Sequence, residues 1–95
     1  MFLNEYLNDT YLSMLYNNYK ENYINSLDEK RFVEIYNLFK EYNFYFIEDI
    51  ILYYLEVFQY NVDDVRNNIL LLKERHGDNF IFEIGNDLSY LEELL

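Results

Sequence analysis

His76 is the single histidine of the chain, and Ser13, Ser26 and Ser89 are its serines, so any imidazole-activated serine nucleophile would need His76 as its base. Lys73, Arg75 and His76 stand together just before Gly77, however, and cations in the last turn of a helix are favoured by the helix dipole. His76 is therefore expected to be a surface cation. Adjacent carboxylates occur as Glu48/Asp49, Asp63/Asp64 and Glu92/Glu93. Neighbours on a helix point about 100° apart and do not converge on one ion, so capping and solvation account for them. Gly77-Asp78-Asn79 lacks the alternating oxygen ligands of a calcium loop, and two isolated glycines cannot build a phosphate-binding loop. The chain is expected to be no enzyme, with no catalytic centre, no cofactor and no metal.

Charge then narrows the partners. Against 18 acidic residues stand 7 basic ones, a net charge of −11 that repels nucleic-acid backbones and anionic lipid headgroups. The expected partner is a basic protein, with no direct nucleic acid and no membrane. The Asn-, Ile-, Tyr- and Phe-rich composition is that of an AT-rich coding sequence, which favours lysine as well, yet only Lys20, Lys30, Lys40 and Lys73 occur. The acidity is thus not codon bias. Absence of cysteine and of a long apolar run fits a cytoplasmic protein stabilised by packing alone.

The elements that must position these groups are helical. The chain has no proline, its glycines are Gly77 and Gly85, and 52% of its residues are hydrophobic, so a single all-α domain over residues 1–95, a compact bundle of five or six helices, is expected. Leu12, Leu15, Tyr16, Tyr19 and Tyr23 mark one long or one broken first helix, with Leu3 and Leu7 on an earlier turn. Ser26-Leu27-Asp28-Glu29 has the form of a capping box that starts a helix at Leu27, with Phe32, Ile35, Tyr36 and Phe39 as its apolar stripe. Residues 44–58 are apolar nearly all round, as a central helix is; a strand at Phe44–Ile47 is the weaker alternative.

Asn61 followed by Asp63 and Asp64 specifies the start of the next helix, and Gly77 its end. Phe80–Ile84 is expected as a short helix rather than an edge strand. Asn86 or Asp87 then caps a final helix that turns Leu88, Leu91, Leu94 and Leu95 inward and Glu92 and Glu93 outward. Tyr60-Asn61-Val62-Asp63-Asp64-Val65, followed by Ile69, Leu72, Lys73 and Gly77, resembles, over less than a fifth of the chain, one unit of the helical repeats of mitochondrial transcription termination factors. Those factors use basic surfaces that this chain lacks, and nothing is carried over from them.

An acidic, tyrosine-bearing face on a packed helical body suits protein contact, because tyrosine offers a large and rather rigid area with a polar tip. Asp49, Tyr53 and Glu56 fall at i, i+4 and i+7 of the expected central helix. With Asp63, Asp64, Glu83, Asp87, Glu92 and Glu93 they form the expected partner-binding set. The leading expectation is a small inhibitor or regulator that docks these carboxylates on a basic, nucleic-acid-binding protein by imitating phosphate charge. In size and charge it resembles phage and mobile-element inhibitors of the anti-CRISPR class. The alternative is an adaptor that forms a homodimer through the apolar surplus of the central helix, notably Leu52 and Tyr53.

Overall fold

Capping side chains and residues at positive φ, in place of proline, divide the chain into helices. The computed structural model describes residues 1–94. Six α-helices and three 3-10 helices follow in the order η1 (Phe2–Glu5), α1 (Asp9–Asn18), α2 (Glu21–Asn25), α3 (Glu29–Glu41), α4 (Ile47–Tyr53), η2 (Leu55–Gln59), α5 (Val62–His76), α6 (Phe80–Asn86) and η3 (Leu88–Leu94). There is no strand among the described residues, so the all-α bundle holds and Phe44–Ile47 is not a strand.

The expected boundaries of α5 are the ones observed. Asn61 Oδ1 accepts from the amides of Asp63 at 2.9 Å and Asp64 at 3.4 Å, and Gly77 closes the helix at φ +81°. Phe80–Ile84 is helical, as expected. The expected first helix is a broken one: Asn8 Oδ1 caps α1 at the Tyr11 amide, and Tyr19 turns extended before α2.

Two boundaries and the type of the last helix differ from expectation. The capping box at Ser26 does not form, because Ser26, the residue that closes α2, is in a helical conformation, and its Oγ donates to the Tyr23 carbonyl at 2.7 Å. Asp28 caps α3 instead, accepting from the Arg31 amide at 3.1 Å. The 44–58 segment is not one helix: residues 44–46 form the connection after α3, and Tyr54 (φ −137°, ψ 45°) separates α4 from η2. The last element is a 3-10 helix rather than an α-helix, and Asp87 turns into it by accepting from the amide and hydroxyl of Ser89. Inward Leu91 is fully buried, while the expected burial of Leu94 and Leu95 lies outside the described side chains and residues.

The break at Tyr54 is held from outside. Asn18 Nδ2 donates to the Leu52 carbonyl at 2.8 Å, and the Tyr19 hydroxyl accepts the Leu55 amide at 3.0 Å. The end of α1 thereby satisfies one carbonyl and one amide that a continuous helix would have paired internally. Farther along, the Gln59 side chain accepts from the Asp28 amide at 2.8 Å and donates back to the Asp28 carbonyl at 3.3 Å, and Arg31 Nη1 donates to the Gln59 carbonyl at 2.9 Å. Each end of η2 is thus tied to a different helix.

The core is apolar throughout: among the described residues no polar or charged side chain is buried. An aromatic spine runs along it. Phe2 and Tyr6 meet the edge of Phe32, Phe32 stacks on Phe58 at 4.8 Å, Phe39 bridges Phe58 and Phe44, and Phe44 reaches Phe80. Leu52, Leu55, Val57 and Phe58 are completely buried, which fits a central segment packed on most sides. Most of the apolar surplus of that segment therefore lies in the core, with Tyr45, 64% exposed, and Tyr53, 51% exposed, as its solvent-facing hydrophobic side chains.

Candidate protein-binding surface

The Tyr54 break decides where the expected binding residues stand. Asp49 and Tyr53 remain one turn apart on α4, but Glu56 lies beyond the break, so the i, i+4, i+7 stripe does not continue as a helix face. Glu56 is fixed instead by Tyr19, whose hydroxyl donates to Oε2 at 2.9 Å while accepting from the Leu55 amide. Burial pushes the Tyr19 hydroxyl up to about 12; the Leu55 amide opposes this, and the Glu56 carboxylate adds to it. Tyr19 therefore stays a neutral donor toward Glu56 at neutral pH.

Around this pair the field is negative. The Tyr54 phenol is raised first by burial and then by Glu92, Asp87 and Glu56, so three of the expected carboxylates act on one point. Tyr23, stacked on Tyr19 at 5.8 Å, is likewise raised by burial, then by Glu56 and Tyr60. Half-buried Tyr19, Tyr23 and Tyr54 thus all feel Glu56, and Tyr54 feels Glu92 and Asp87 as well. The Asp87 carboxyl is held below the usual range by the Ser89 hydroxyl and amide, so it is firmly ionised. Such a surface can accept hydrogen bonds from guanidinium or ammonium groups and lay aromatic faces against them.

The remaining expected residues divide between two other places. Asp63 and Asp64 are exposed in the first turn of α5, beside a groove of about 340 Å³ lined by Glu34, Asn37, Leu38, Glu41, Val62 and Arg66. Arg66 approaches Glu41 there at 3.8 Å. Glu83 and Glu93 converge on His76, with Glu93 also bonded to Arg75 at 3.2 Å. His76 is accordingly not the exposed cation expected of it: its side chain is 21% exposed and packs on the Tyr90 ring, because α6 and η3 fold back over the end of α5. No group of three or more metal-ligating side chains is present among the described residues.

Tyr19, Tyr23 and Tyr54 belong to this neighbourhood and were not in the expected partner-binding set. Their helical spacing marked them as core positions, and the Tyr19–Glu56 contact spans 37 positions with no local pattern to announce it. No helix among the described residues is long and apolar enough to cross a membrane. Comparison with protein-family models, curated proteins and solved structures gave no match.

Proposed function

We propose that this chain is a small binding protein, an inhibitor or regulator, that docks the surface around Tyr54 onto a basic protein and competes there with nucleic acid. What supports the reading is that Glu92, Asp87 and Glu56 all raise the Tyr54 phenol electrostatically, and that Glu56 is held by Tyr19 rather than by a cation. Fixed carboxylates lose little entropy on binding, and a net charge of −11 attracts a cationic groove over distance. The phenols supply contact area that holds the complex once it has formed.

Affinity capture from the native host at low and high salt tests this, followed by charge reversal. Glu56→Lys, Asp87→Lys and Glu92→Lys together should weaken binding of the captured protein by at least tenfold, and excess chain should displace nucleic acid from it. Reversal at Glu29, on the exposed start of α3, serves as the control. Binding indifferent both to salt and to the triple reversal would reject the reading.

A further inference from the structure

The imidazole of His76 lies between two carboxylates delivered by different elements. Nδ1 is 3.4 Å from Glu83 Oε2 on α6, and Nε2 is 3.6 Å from Glu93 Oε2 on η3. The ring packs on Tyr90, with centroids 5.0 Å apart. Nε2 is shut off from solvent and has no hydrogen-bond partner. A neutral imidazole carries one N–H, so it can donate to one of these carboxylates while presenting a lone pair to the other. Only the doubly protonated ring has a donor for each. The site is therefore complementary to the imidazolium, which also suits the C-terminal end of α5.

We propose that His76 is a proton-operated latch that fastens the segment 79–94, comprising α6 and η3, onto the end of α5. Protonation draws Glu83 and Glu93 onto opposite edges of the ring; loss of the proton leaves one of them facing a lone pair and loosens the segment. Gly77, at φ +81° with open space about it, provides the turn on which the segment moves. The groups facing the ring are Glu83 from α6, and Tyr90 and Glu93 from η3; Arg75 on α5 shares Glu93. Asp78, in the turn between, is exposed. The segment carries Asp87 and Glu92, so the latch sets how firmly these are presented. It does not depend on what the chain binds.

Amide hydrogen exchange of the full chain, read by NMR at about pH 5.5 and about pH 8, brackets the range in which imidazoles change charge. Protection factors for residues 80–92 should be about three- to tenfold higher at the lower pH, the size expected of one or two partly exposed ion pairs. Amides of α3 should not share this gain. In His76→Gln the difference should vanish, because the variant side chain carries no ionisable proton. Glu83→Gln keeps the histidine and should reduce the difference without abolishing it. Equal protection at both pH values in the native chain, or an undiminished pH effect in His76→Gln, would overturn the proposal; should His76→Gln fail to fold, the double variant Glu83→Gln/Glu93→Gln must lose the effect instead.

Discussion

Tyr19 and Glu56, 37 positions apart, share a hydrogen bond of 2.9 Å, and the same hydroxyl accepts the Leu55 amide at 3.0 Å. One phenol thereby fixes the start of η2, excuses the break at Tyr54 and aims a surface carboxylate. Fold and candidate surface depend on the same atom.

Tyr19→Phe should therefore cost about 1–3 kcal/mol, the range for leaving a part-buried polar group without its partner. Urea denaturation measures it. Glu56→Gln alone should cost less, since the Leu55 amide keeps its acceptor, and the two changes together should fall short of their sum.

Stability should decline on the alkaline side. Tyr19 is pushed up to about 12 chiefly by burial, and Tyr23, Tyr36 and Tyr54 are raised in the same direction for the same first reason. A phenol with its folded value above its unfolded one, near 10, stays protonated in the native state while the unfolded chain loses the proton. Its contribution is intact below pH about 10 and is lost as the pH rises through about 12. Denaturation midpoints across this window should fall, and Tyr19→Phe should flatten the fall.

Gly85→Ala should destabilise despite the better helix propensity of alanine. A Cβ there would overlap the hydroxyl end of Tyr45 and come within 3.1 Å of the Phe46 ring. Tyr45 is 64% exposed and can swing away, whereas Phe46 is buried and cannot. Overpacking costs about 1–3 kcal/mol, and the roughly 1 kcal/mol gained by replacing glycine inside a helix leaves a net loss of up to about 2 kcal/mol. Adding Tyr45→Ala should recover part of it; thermal unfolding of the native chain and the two variants is the check.

Leu52→Glu should abolish folding rather than report on self-association, because Leu52 is fully buried and would carry an unpaired charge into the core. Tyr53→Glu, at an exposed position, should change stability by less than about 0.5 kcal/mol. If the chain dimerises through this segment, sedimentation of Tyr53→Glu will show a monomer where the native chain shows a dimer.

Asn61→Ala should cost about 1 kcal/mol through loss of the α5 cap, the ordinary value for such a residue. Ser26→Ala should cost less, because the Ser26 hydroxyl makes one exposed hydrogen bond to the Tyr23 carbonyl and satisfies no helix N-terminal amide.

Sequence by itself determined the helical class, the limits of α5 and the helical state of Phe80–Ile84. These rest on local physics: an Asn side chain reaching amides two and three residues on, a glycine at positive φ, and apolar residues repeating every three or four positions. Only the tertiary structure decided where the central segment breaks, because an unbroken helix and a broken one carry the same apolar pattern. The difference lies in Asn18 and Tyr19, which supply from another helix the hydrogen bonds that the break forgoes. It likewise decided that Glu83 and Glu93 gather on His76 while Glu92, Asp87 and Glu56 act on the Tyr54 phenol. Charge is written in the sequence, but which charges share a neighbourhood is set by packing between residues far apart along the chain.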